Sequence, residues 1–179
     1  MVKTNKWIII LVLAVLSTSL FAQGLTLQYR CQNTATSTQS MNPHFNIVNN
    51  SGSSVAMSSL TIRYYRTKEG SAGEQFWCDY AVVGSSNVSA SFTTDYVEVA
   101  FSSGAGSISN GGDSGQIQCR ISKTDWSTYD QSNDCSFEPS ITNFTNYTGA
   151  TLYQNGSPVF SGSCGGGTVV TNPPTVTNP

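Results

Sequence analysis

The chain has 179 residues, only 10% of them charged, and a formal net charge of −2. No basic patch or run is present, which excludes a partner held by phosphate contacts, such as a nucleic acid. Ser, Thr, Asn and Gly are plentiful instead, the composition of an exported β-protein whose outer face uses hydroxyls and amides rather than ions.

Residues 1–22 read as a secretory signal peptide: Lys3 and Lys6 form a basic start, Trp7 to Val15 an apolar centre, and Ser17, Thr18 and Ser19 lead to a cut near Ala22-Gln23. The alternative is an uncleaved anchor, although the apolar run is shorter than the roughly 20 residues a bilayer span needs. Loss of Lys3 and Lys6 leaves six basic against ten acidic residues, a net charge of −4. Residues 23–164 are expected to form one domain. Residues 165–179 begin with Gly165-Gly166-Gly167 and end in Thr- and Pro-rich sequence, and read as a linker to a further module or as a tail without a role.

Strand signals recur through the domain. Leu25 to Arg30 alternates apolar with polar residues, as does His44 to Val48. Leu60 to Tyr65, Gln75 to Val83, Tyr96 to Phe101 and Gln116 to Ile121 follow, and Ala150 to Tyr153 and Pro158 to Phe160 flank an Asn155-Gly156 turn. Period-two alternation with β-branched and aromatic residues predicts half-buried strands. Turn chemistry at Asn50-Ser51-Gly52, Glu69-Gly70, Gly104 and Gly111-Gly112 separates them. Eight or nine short strands with no helical period imply an all-β sandwich.

All five cysteines lie in the exported part, where disulfides are expected. Cys78, between Trp77 and Asp79 in an apolar strand, is expected to be the buried free thiol. Cys31, Cys119, Cys135 and Cys164 are then left to pair in one of three ways. Their spacing lacks a Cys-x-x-Cys pair and gives no support for zinc.

The functional signal is concentrated in two segments. Trp126 stands in Lys123-Thr124-Asp125-Trp126-Ser127, among polar residues that cannot bury an indole. Phe76-Trp77-Cys78-Asp79-Tyr80 supplies a carboxylate and a ring. Alternation places Ile117, Cys119 and Ile121 inward and Gln118 and Arg120 outward, within reach of Asp79. A bidentate Arg120–Asp79 pair is planar and can lie flush with Tyr80 and Trp126. Such a strip suits the flat C–H face of pyranose rings on a crystalline polysaccharide. Thr67 and Glu69 in one loop, and Asp130, Asn133 and Asp134 in another, offer oxygens of the kind calcium takes. Catalysis has little support: His44 is the only histidine, Gly-x-Ser-x-Gly is absent, and no carboxylate pair stands out.

Four segments in order resemble the family 3 carbohydrate-binding modules found beside cellulases and in cellulosomal scaffolding proteins. They are Met41-Asn42-Pro43-His44-Phe45, Leu60 to Tyr65, Phe76 to Asp79, and Lys123 to Ser127 continuing through Gln131 to Asp134. The resemblance covers about Leu25 to Gly162. It implies a nine-stranded jelly-roll β-sandwich, cellulose recognition by a planar strip, and one structural calcium ion. By position, Asp79, Arg120 and Trp126 match strip residues, Tyr80 replaces a common histidine, and Asn33 and Gln118 match polar anchors. Thr67, Glu69, Asp130, Asn133 and Asp134 match the calcium loops, with Glu69 in place of aspartate and Asp130 contributing its carbonyl. The loop from Val83 to Ser89 is short and lacks a further strip tyrosine, which implies a smaller platform. A branch of the family without the strip feeds chains to an adjoining hydrolase; Trp126 and the ion pair argue against it.

The expectation is a secreted, non-catalytic cellulose-binding module that targets an attached or partner hydrolase. Chitin or another glucan is the alternative ligand. A structural coat or matrix protein, glycosylated at the Asn49, Asn87, Asn143, Asn146 or Asn155 sequons, is the alternative from another class.

Overall fold

The computed structural model describes residues 24–162 and Cys164, so the expected signal peptide and tail lie outside the described residues. Nine strands of four or more residues are present among them, joined by shorter two-residue pairings. They are β1 (Leu25–Cys31), β2 (Pro43–Asn49), β3 (Leu60–Tyr65), β4 (Glu74–Ala81), β5 (Val88–Phe92), β6 (Tyr96–Phe101), β7 (Ile117–Lys123), β8 (Ala150–Gln154) and β9 (Ser157–Phe160). Among the described residues, helix is limited to short 3-10 turns.

Two antiparallel sheets face each other. The first orders β1, β2, β7 and β4 across its width, with Thr145–Asn146 beyond β1. The second orders β9, β8, β3, β6 and β5. The chain crosses between the sheets at β2–β3, β3–β4, β4–β5, β6–β7 and β7–β8, while β1–β2, β5–β6 and β8–β9 pair within one sheet.

Alternation explains the layering. In β1 the inward set is Leu25, Leu27, Tyr29 and Cys31, and β7 turns Ile117, Cys119 and Ile121 to the same core. Ile62, Tyr64, Val97, Val99 and Leu152 oppose them from the second sheet. Each such side chain, fully buried, contributes roughly 1.5–3 kcal/mol from removal of apolar area. Tyr29 is central: its ring lies 4.8 Å from Tyr147, 6.1 Å from Phe45 and 6.3 Å from Tyr64.

One strand was missed by periodicity. Val88–Phe92 pairs with β6, yet Ser-Ala-Ser in its centre gives too weak a contrast between faces. The Asn155-Gly156 turn is as expected: both residues have positive φ, 49° and 77°, which is the backbone a two-residue hairpin needs.

The cysteine expectation is corrected. Among the described residues only Cys135–Cys164 forms a disulfide, with Cα atoms 5.8 Å apart. Cys31 and Cys119 are free, buried in different strands of the first sheet. Cys78 is free as expected, but only half-buried. The Asn49 sequon is likewise corrected: Asn49 is buried, and its amide donates to the carbonyls of Ser53 and Ile108.

Candidate functional site

The outer face of β4 and β7 carries Asp79, Tyr80, Gln118 and Arg120, with Trp126 in the turn that follows β7. Arg120 donates from Nε and Nη2 to both oxygens of Asp79, at 2.9 and 2.8 Å for the shorter contacts, a bidentate planar unit. The carboxylate beside it raises the guanidinium pKa further. The pair is partly exposed, so its contribution to folding is small; its rigidity and shape matter more.

Strict alternation would turn Tyr80 inward if Asp79 points out. A bulge removes the conflict. Gln118 is opposite Tyr80, but Cys119 is opposite Cys78, so Asp79 is the extra residue of β4. Asp79 and Tyr80 are consequently both exposed, while Ala81 returns to the core. A bulge re-aims side chains in this way at many binding sites.

Trp77 was not among the expected site residues. It is opposite Arg120, whose guanidinium carbon lies 4.4 Å from the centre of the indole. Its ring is also stacked on that of Trp126, with centroids 5.9 Å apart and planes within 19°. The available signal was its position two residues before Asp79, on the same face.

Trp126 is nearly half-exposed and has φ of +58°. A bulky residue in this region is strained, and such strain is retained where the surroundings fix it. Here the Trp126 N–H donates to the Lys123 carbonyl, and the Asp125 carboxylate accepts from the Ser127 N–H and hydroxyl. Those two bonds hold the Asp125 carboxyl below the usual range. Lys123, itself buried, donates to the Thr128 carbonyl at 2.6 Å and lies over Tyr129.

Gln118 lies half-exposed between Tyr80 and His44. Asn33 is in a different situation. Its amide donates to the Thr38 hydroxyl and the Ser40 carbonyl, and its oxygen accepts from the Ala35 N–H. The side chain thus organises its own turn. His44 is buried, and burial followed by the nearby Arg30 charge lowers its pKa to about 4.

The two expected cation loops do converge. The Thr67 N–H donates to Asp134 Oδ1 at 2.7 Å, and the Thr67 hydroxyl to the Asn133 carbonyl. Asp134 Oδ2 is buried without a hydrogen-bond partner, and burial pushes this carboxyl up to about 7. An orphaned, desolvated carboxylate oxygen beside hydroxyl and carbonyl oxygens fits a hard cation. Asp130 caps the following turn through its carboxylate, which accepts from the Ser132 N–H and hydroxyl. Glu69 fits less directly: it already accepts from the Asp130 N–H and Lys123. No cluster of three or more His, Cys, Asp or Glu is found among the described residues, so the donor set depends on neutral oxygens. A cleft of about 560 Å³ lies beside these loops, lined by Arg66, Thr67, Lys68 and Asn133, and none of the strip residues line it.

The fold and this face define a β-sandwich with a partly exposed cluster of aromatic rings and one ion pair on its outer sheet. The chain belongs to the cellulose binding domain family, whose sequence model matches residues 26–161. It is 47% identical to the uncharacterized protein in the celA 5′ region of Paenibacillus lautus, over 75% of this chain and 97% of that protein. It is 45% identical to endoglucanase A of the same species, over 80% of this chain but only 22% of the enzyme. The solved carbohydrate-binding module CBM3b of the cellulosomal cellobiohydrolase 9A from Clostridium thermocellum is 40% identical and superposes with a TM-score of 0.75, over 80% of this chain and 99% of that one. The domain is therefore a non-catalytic binding module rather than a hydrolase.

Proposed function

We propose that the domain adsorbs to crystalline cellulose through Trp126, Trp77, the Arg120–Asp79 pair and Tyr80, with Gln118 and Asn33 at its margin. The observation that carries this reading is the continuous stack: Trp126 on Trp77, Trp77 beneath Arg120, and Arg120 in plane with Asp79. Each ring–sugar contact contributes about 1 kcal/mol by analogy with aromatic pairs. Several must act together, which a rigid polymer face permits and a single flexible chain does not.

Adsorption would hold an attached or partner hydrolase at the polymer and raise its effective concentration without new chemistry. The enzyme relatives, of which this domain spans a small part, support that role. Residues 1–22 would direct export, and residues 165–179 would link the domain to a second module.

The same reading places one calcium ion between the loops, held by Asp134, Asn133, the Thr67 hydroxyl and the Asp130 carbonyl, with Glu69 joining if it releases Lys123. The ion would cross-link these loops and, through Lys123, steady the turn that carries Trp126. Added calcium is then expected to raise Tm, chelation to lower it, and Asp134→Asn to remove the response.

Depletion of the purified domain from solution by microcrystalline cellulose tests the main proposal. Wild type is expected to deplete and Trp126→Ala to remain in solution while keeping its circular-dichroism spectrum. Failure of the wild type to deplete, or unchanged depletion by the variant, would overturn it; binding to chitin alone would move the ligand to another flat polysaccharide.

A further inference from the structure

Cys78 and Cys119 stand directly opposite each other on β4 and β7, at the step of the bulge. Both side chains turn away from the binding face. Cys119 is fully buried, and Cys78 packs against the core from its rim. Opposed residues of a regular antiparallel pair have Cα atoms about 4.5 or 5.5 Å apart, and disulfides span about 4.4–6.8 Å, so opposed placement is of the order a disulfide bridges. Cys31 differs, because its opposed residue is Pro43.

We propose that Cys78 and Cys119 form a covalent modification site, a cross-strand disulfide closed by exchange with a small-molecule or protein disulfide. The Cys78 thiolate attacks one sulfur of the incoming disulfide; a mixed Cys78 disulfide forms and one external thiolate leaves. Cys119 then gives up its proton to solvent, and its sulfur attacks the Cys78 sulfur. The Cys78–Cys119 bond forms and the second external thiolate leaves. Two protein thiols are oxidised and one external disulfide is reduced to two thiols.

The order follows from access. Cys78 is only half-buried, and its sulfur lies 3.5 Å from the Tyr80 carbonyl near the open edge of the bulge. Cys119 cannot meet an external reagent in the folded domain. Burial raises both thiol pKa values, so exchange runs fastest while the chain is folding, and the finished bond is shielded from reductant. The bond would fasten the bulge from beneath, as the Arg120–Asp79 pair fastens it from above.

The test is refolding of the full chain in mixed oxidised and reduced glutathione. Remaining thiols are alkylated in denaturant, and the protein is digested at acid pH without reduction for mass mapping. The expected result is a linked Cys78–Cys119 peptide lighter by two hydrogens than its separate parts, with Cys31 alkylated. Cys78→Ala is expected to abolish that peptide and leave Cys119 alkylated. Alkylation of both cysteines in the wild type, glutathione retained on Cys78, or a Cys31–Cys119 link would each overturn the proposal. The wild-type map decides the matter even if the variant does not fold.

Discussion

The proposed binding face depends on side chains that supply shape as well as charge. Arg120 makes two parallel bonds to Asp79 and also covers Trp77. Lysine could supply the charge but neither the planar fork nor the stacking surface. Arg120→Lys is therefore expected to weaken adsorption to cellulose by about tenfold, the loss of one to two planar contacts, with Tm nearly unchanged because the pair is partly exposed. A binding isotherm on microcrystalline cellulose beside a thermal melt separates the two effects. An unchanged isotherm would show that charge alone suffices. Trp126 illustrates the same principle in the backbone. Its positive φ is tolerated because Lys123, Asp125 and Ser127 fix the turn around it.

Among the elements, β2, β4 and β7 carry the site between them. The bulge in β4 puts Asp79 and Tyr80 on one face, which no regular strand can do. β2 supplies His44 opposite Gln118, buried and held neutral by desolvation and by Arg30. Its folded pKa lies below the ordinary histidine value of about 6.5. Its stabilising effect is accordingly complete above pH 6.5 and lost as pH falls towards 4, because the unfolded chain takes up the proton first. The loss is expected to reach about 1–3 kcal/mol. Melts at pH 7, 5.5 and 4 should show a steeper fall for wild type than for His44→Gln. Parallel curves would mean that His44 is protonated in the folded domain.

At the scale of the whole molecule, two packed sheets provide rigidity while covalent closure acts at one end. Cys135–Cys164 joins the segment after β7 to the chain beyond β9, across 29 residues. Closing a loop of this size stabilises by roughly 3–4 kcal/mol in the chain-entropy account. Cys164→Ser is expected to lower Tm by about 10 °C or more, measured by calorimetry under non-reducing conditions. A shift within error would mean that the β8–β9 hairpin docks without the bond. Because Cys135 adjoins Asp134, the same variant is expected to blunt the response of Tm to calcium.

The sequence alone determined the β-sandwich, its inward-facing residues in β1 and β7, the exposed indole of Trp126 and the ion pair between Arg120 and Asp79. These follow from period two and from the cost of burying charge, which act locally and leave a mark in most strands, β5 excepted. Only the tertiary structure decided the rest. Trp77 meets Arg120 because β7 sets that residue opposite it, and Tyr80 faces outward because the bulge adds one residue to β4. Asn33 holds its own turn because its amide and oxygen find partners there. The pairing of Cys135 with Cys164, and the apposition of Cys78 and Cys119, depend on strand order and register. Those are set by long-range contacts, for which a single chain of letters holds no local signal.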